Sequence, residues 1–150
     1  MWAASRTTGS IVELGGGWYS TPILHGLCEP GRRELWTVEA EADWLHAVKP
    51  WQRSWHHLVL DPGLNIPAQA GRPGMVFVDH DATPPGRGAS IRQAAERGAS
   101  IIVVHDTQPA AARDYPGMAE VIDGFQYRRD WRYYPQWTTA LSDKVSLNAL

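Results

Sequence analysis

The sequence predicts an α/β protein: one mostly parallel sheet with helices on both faces and a C-terminal antiparallel hairpin. Three observations predict it. Short apolar segments alternate with helical or loop connections along the chain, and strands joined in that way pair in parallel. Two segments, "MVFVDHD" and "SIIVVHDT", are apolar throughout their strand portions, as strands covered on both faces are. The last two strand-like segments, "FQYRRDWRYY" and "WTTALSD", lie too close together for a helical crossover, so they form a hairpin at one edge.

Each element follows in order. Ser10 to Leu14 reads as the first strand and runs straight into Gly15-Gly16-Gly17. Thr21 is a good N-cap and Pro22 suits a first helical position. Ile23, Leu24, Leu27 and Cys28 make one apolar face, and Pro30-Gly31 end that helix. "ELWTVEA" is the second strand, ending near Glu39, and "EADWLHAVKPW" is a short helix stopped by Pro50. His57 to Leu60 form the third strand. "LNIPAQAGRPG" has two prolines and no helical period, so it is a loop. "MVFVDHD" is strand four. "PPGRGASIRQAAERG" is a loop and a helix capped by Gly98. "SIIVVHDT" is strand five, "PGMAEVIDGF" a short helix, and the hairpin closes the chain.

A length of 150 residues suits one domain with a real core, and 43% hydrophobic with 20% charged residues is ordinary for a globular protein. A net charge of −2 argues against a general attraction to nucleic acid or anionic membrane. The single Cys28 makes an intramolecular disulfide impossible and fits a reducing compartment. No apolar run reaches the ~20 residues of a membrane span, and the first residues, "MWAASRTTGS", lack a signal peptide's apolar stretch. The expected location is the cytoplasm. Most of the eight tryptophans are expected in the core, with Trp18 the best placed to line a pocket.

The glycine run carries the functional signal. In an open parallel sheet, ligands sit beyond the C-terminal strand ends. Gly15, Gly16 and Gly17 lie at the end of strand one, and Glu39, at the end of strand two, comes 22 residues after Gly17. That spacing suits a carboxylate accepting hydrogen bonds from both hydroxyls of a nucleoside ribose. A dinucleotide loop wants a third glycine where Ser20 stands. A nicotinamide-dependent oxidoreductase therefore has only the glycines and Glu39 in its favour.

Glu13-Leu14-Gly15-Gly16-Gly17 resembles motif one of class I S-adenosylmethionine-dependent methyltransferases, a Rossmann-like family whose acid–x–Gly–x–Gly loop cradles the amino-acid end of the cofactor. Asp79-His80 after strand four and Asp106 after strand five are similar to the strand ends of catechol-type small-molecule O-methyltransferases, with Thr107 where that group has Asn. The resemblance implies that Glu13, Gly15, Gly17 and Ser20 meet the methionine part and Glu39 the ribose. It places Asp61 near the adenine, and Asp79 with His80 at the closing edge. The base expected in that group, a Lys soon after the Asp-His pair, is missing at Asp81-Ala82. So are a helix after strand three and a helical lid before strand one.

Asp79, His80, Asp81, His105 and Asp106 fall on adjoining strand tips, more ionisable groups than packing requires. His105 or His80, oriented by Asp106 or Asp79, is the expected base, and a divalent metal is the less favoured alternative. His25 and His46 read as packing or surface residues, and His56-His57 as lying at the opposite end from the site. "YRRDWRYY" reads as a charged edge strand rather than a nucleic-acid contact. The expected function is methyl transfer to a small molecule. A non-catalytic module of the same fold and the oxidoreductase are the alternatives.

Overall fold

The structure is a computed structural model that describes residues 2–81, 85–133 and 135–147, with backbone alone at 112 and 113. Ala82, Pro84 and Tyr134, all within segments read above, lie outside the described residues. Seven strands form one sheet: β1 (Ile11–Leu14), β2 (Leu35–Glu39), β3 (His56–Leu60), β4 (Met75–Val78), β5 (Ile101–His105), β6 (Tyr127–Arg132) and β7 (Trp137–Ser142). Their order is β3-β2-β1-β4-β5-β7-β6. The first five run parallel, and β7 enters antiparallel between β5 and β6. The predicted class and the edge hairpin are both present.

The helices are α1 (Trp2–Ser5), α2 (Ser20–Cys28), α3 (Ala42–Val48), α4 (Arg87–Glu96) and α5 (Met118–Asp123). None is long and apolar enough to cross a membrane. The two-residue period of a strand sorts its side chains between two cores. Val12, Leu14, Val76, Val78, Ile102 and Val104 join Ile91 of α4 and Ile122 of α5 on one face. Ile11, Leu35, Met75, Ile101 and Val103 join Ala3 of α1 and Leu24 of α2 on the other.

Three local expectations change. Thr21 lies inside α2 rather than at its N-cap, because its hydroxyl is engaged by Glu13 on the sheet below. A four-residue helix, α1, precedes the first strand and packs its buried Ala3 and Ala4 on the second core. His56 belongs to β3, one residue earlier than predicted. The segment after β3 is a loop as predicted, with only a short 3-10 turn at Ala68–Ala70. It stands in for a helix by burying Leu64, Ile66 and Ala70 in the first core.

Arg33 holds the N-terminal segment to the sheet. Its Nε donates to the Gly9 carbonyl at 2.5 Å, Nη1 to the Ala4 carbonyl at 2.7 Å and Nη2 to Thr7 Oγ1 at 2.9 Å. An Arg33→Ala variant loses three charge-assisted bonds, each worth about 1.5–3 kcal/mol at most. We expect it to release α1 first. Tryptophan emission should shift to the red as Trp2 leaves Trp131, whose ring centroid lies 5.7 Å away. Unchanged emission and midpoint of unfolding would remove Arg33 from that role.

Candidate active site

The loop after β1 is shaped by the neighbouring strand tip. Gly15 has φ +94°, and a Cβ there would collide with the backbone of Asp79 and His80. The glycine is therefore demanded by the protein's own backbone, and it also lines the cavity. Gly16 packs against Thr37 and donates its N–H to Glu39 Oε2 at 2.8 Å. A Cβ on Gly17 would meet only Ser20 Oγ, at 3.1 Å. This loop, Glu39, Trp44, Leu64 and Asp79 line a cavity of about 290 Å³, with Ser20 and His80 also at its wall. Trp18 lines it as expected and is 62% exposed at its mouth.

Glu39 is buried and aimed at the loop. Its Oε1 accepts the N–H groups of Ala40 at 2.7 Å and Glu41 at 3.0 Å. Three of roughly four acceptor positions of a carboxylate are thus taken. One remains for a ribose hydroxyl, where two had been expected.

Glu13 lies beneath the loop, fully buried and outside the cavity lining. That corrects the expectation of direct ligand contact: alternation along β1 turns residue 13 toward α2. Its Oε2 accepts the hydroxyls of Thr21 at 2.8 Å and Thr37 at 2.7 Å, and Thr21 Oγ1 in turn accepts the Gly17 N–H at 3.0 Å. Thr37 Oγ1 also meets His56 Nε2 at 3.0 Å, and His56 Nδ1 meets His25 Nδ1 at 2.9 Å. His56, expected far from the site, is therefore linked to the loop through two hydroxyls and a carboxyl. Burial pushes Glu13 up to about 7 and His56 down to about 4.

Asp61 is a second correction. It accepts the N–H of Gly63 at 2.8 Å, that of Asn65 at 3.1 Å and Asn65 Nδ2 at 3.0 Å, which lowers its pKa. Its carboxylate builds a turn and lies outside the cavity lining. His80 is a third. His80 lies past the end of β4 and turns its ring to α4. Its ring nitrogens meet Ser90 Oγ at 2.9 Å and the Asp81 carbonyl at 2.8 Å, which leaves no nitrogen free to act as base.

Asp79, His105 and Asp106 do converge, each offering one ligand-type atom within 4.8 Å of the others. His105 Nδ1 sits 3.0 Å from Thr138 Oγ1, and its Nε2 is 3.6 Å from Asp106 Oδ1. Asp106 adopts φ 54°, a left-handed conformation that Asp tolerates better than most residues. Thr107 turns to β7, 2.8 Å from Thr139 Oγ1. Burial raises the pKa of Asp79, against the pull of His105 and Arg87.

Arg87, the buried first residue of α4, escaped the sequence reading. Its Nε and Nη1 donate to the carbonyls of His80 and His105, each at 2.6 Å. Nη2 lies 3.2 Å from Asp79 Oδ1 and 3.7 Å from Asp106 Oδ2, and the guanidinium covers the Tyr115 ring at 3.9 Å. It already supplies the positive charge between the two carboxylates that a divalent ion would bring. A Gly at the second helical position and a polar loop before it gave no signal that an Arg there would be buried.

Comparison with solved structures follows the same geometry. Human methyltransferase-like protein 13, in complex with SAH, matches all of this chain (100%) and 82% of its own, with a TM-score of 0.69 at 15% identity. The chain has the class I methyltransferase fold. Precorrin-6y C5,15-methyltransferase from Geobacter metallireducens matches at a TM-score of 0.66 and 14% identity, over 96% of this chain and 86% of that one. An rRNA methylase from Streptococcus thermophilus matches at 0.63 and 13%, over 96% and 93%. The chain spans half the length (50%) of the CurJ carbon methyltransferase. No protein-family model and no curated protein matches the sequence.

Two predictions arise here. Gly15→Ala forces a Cβ into the Asp79 backbone at positive φ, and the backbone strain alone costs about 1–3 kcal/mol. Gly17→Ala meets one rotatable hydroxyl and should leave the urea midpoint nearly unchanged; equal effects of the two would overturn the assignment.

The second concerns pH. Glu13 rises from 4.5 to about 7, so the folded state holds a proton that the unfolded state loses, and stability falls as pH rises through that window. His56 falls from 6.5 to about 4, so stability is lost as pH drops through its window. Between pH 4.5 and 6.5 the two slopes oppose. Glu13→Gln should unmask a rise of about 1.4 kcal/mol per pH unit, and His56→Gln a fall of about that size. His25, also lowered by burial, adds an acid-side slope to all three proteins. Denaturant titrations from pH 4.5 to 7 check this, and parallel curves for wild type and Glu13→Gln would refute it.

Proposed function

We propose that the chain binds S-adenosylmethionine in this cavity and transfers its methyl group to a small-molecule acceptor. The carrying observation is the joint between Gly16 and Glu39 at 2.8 Å, which sets a glycine loop and a buried acceptor side by side on one cavity wall. Glu39 keeps one acceptor position for a ribose hydroxyl. Trp18, Trp44 and Leu64 offer apolar walls for a purine, and the open loop backbone at Gly17 faces the remaining polar end. When bound, S-adenosylmethionine supplies a methyl carbon on cationic sulfur, and the S–C electron pair returns to sulfur as the acceptor's lone pair takes the carbon.

The residues have correspondingly modest tasks. Asp79, at the tip of β4, marks the edge between cavity and acceptor. His105 is the group that takes the acceptor's proton, at Nε2. Thr138 fixes its ring through Nδ1, and Asp106 faces Nε2 from 3.6 Å. Holding the acceptor in line accounts for most of the remaining rate. A nucleic acid acceptor has less support, because two of the three arginines of β6 are already paired with aspartates. Arg128 meets Asp123 at 2.8 Å and Asp130 at 2.9 Å, and Arg132 meets Asp130 at 3.1 Å. A non-catalytic binder of the same cofactor is the second reading, favoured by the engagement of both His80 nitrogens.

Calorimetry with S-adenosylhomocysteine and NAD tests the proposal. We expect binding of the former alone, weakened about 10- to 150-fold in Glu39→Ala, the equivalent of ~1.5–3 kcal/mol. Binding of NAD instead, or of neither ligand, would overturn it. Binding without turnover on any acceptor that fits the site would select the non-catalytic reading.

A further inference from the structure

A second cavity, of about 440 Å³, lies on the α2 face of the sheet. Its walls are Trp2 of α1, Leu27 of α2, Phe77 of β4, Val103 of β5 and Trp131 of β6, with Tyr133 at the mouth, 76% exposed. Among the described residues no charged side chain lines it, and its side-chain polar groups are the hydroxyls of Ser20, Thr138 and Tyr133 and the indole N–H groups of Trp2 and Trp131. The nearby guanidinium of Arg129 is stacked behind the walls, 5.6 Å from the Trp2 ring and 5.3 Å from Trp131.

The position of this groove is as informative as its lining. Ser20 lines both this groove and the loop cavity. Thr138 lines the groove and holds His105 Nδ1 at 3.0 Å. The groove therefore meets the cofactor-type cavity at Ser20 and includes, at Thr138, the hydroxyl that holds the residue placed as base. Its volume falls within the roughly 300–1,000 Å³ typical of small-molecule pockets. Aromatic walls favour flat rings, and walls without charge disfavour ions, which would be desolvated without partners. A peptide strand would bring a row of backbone N–H and carbonyl groups that three hydroxyls and two indole N–H groups cannot satisfy.

We infer that this groove is the acceptor's seat and takes a neutral, largely apolar aromatic molecule with one hydroxyl or amine directed to the hydroxyls of Ser20 and Thr138. Its role as acceptor site rests on the transfer reading above; its existence as an aromatic-ligand site does not.

The probe is N-phenyl-1-naphthylamine, a neutral aromatic fluorophore, titrated into the full chain with and without saturating S-adenosylhomocysteine. We expect probe emission to rise and tryptophan emission to fall on binding, with the probe retained when S-adenosylhomocysteine is added. Leu27→Asp places a charge in the wall and should weaken the probe at least tenfold. Tyr133→Ala, at the exposed mouth, should weaken it about threefold and cannot act by unfolding the core. Absence of probe binding, displacement of the probe by S-adenosylhomocysteine, or equal affinity in both variants would overturn the proposal. So would a wild-type dimer in sedimentation velocity that Leu27→Asp dissociates, since a second copy would then cover the groove. Probe binding that behaves as expected in a chain that does not bind S-adenosylhomocysteine would keep the aromatic site and end its assignment to an acceptor.

Discussion

The hydroxyl bonds to the buried carboxyl of Glu13 are what the site rests on. A sheet covered on both faces leaves no water for polar groups, so a carboxyl at mid-strand must be met by neighbouring side chains. Thr37 meets it from β2 and Thr21 from α2. The same Thr21 oxygen receives the Gly17 N–H, so the glycine loop is tied to the core by one side chain. From above, Glu39 takes the Gly16 N–H. Two acids on two strands thus hold successive amides of one loop, the first through a hydroxyl and the second directly.

The other half of the site is held by a cation. Arg87 draws the ends of β4 and β5 together through two carbonyls and faces both aspartates. Its guanidinium lies near one oxygen of each aspartate, 3.2 Å from Asp79 and 3.7 Å from Asp106, and so offsets their mutual repulsion. The arrangement also separates the duties of two neighbouring residues: Asp79 faces the site, while His80 pins the strand tip to Ser90 of α4.

The strand pattern was legible because burial on two faces writes continuous apolar runs, and the hairpin because spacing forbids a crossover. Sheet neighbours at the tips, β4 beside β5, placed Asp79, His105 and Asp106 together correctly. What the sequence hid was direction. Glu13 and Glu39 both flank the glycines, yet period-two alternation and chain length send one under the loop and the other beside it. His80 follows Asp79 beyond the end of β4, and its ring is taken by Ser90 of α4. Asp61 precedes Pro-Gly, and its own turn consumes its oxygens. Arg87 could not be read at all, since its burial depends on two carbonyls that only the folded tips present. Gly15 lines the cavity, and the backbone of Asp79 and His80 demands a glycine there as well.

The late insertion of β7 has a consequence for synthesis. β6 precedes β7 in the chain, yet it borders only β7, and of the two hairpin strands β7 is the one that lies against β5. During translation the open edge of β5, with its apolar Ile102 and Val104, therefore waits until residues 137–142 emerge, and β6 waits with it. An unpaired apolar edge is a template for intermolecular pairing. The arginines and aspartate of "YRRDWR" are already made by then, and a nascent β6 that carries them is a poor partner for the waiting edge.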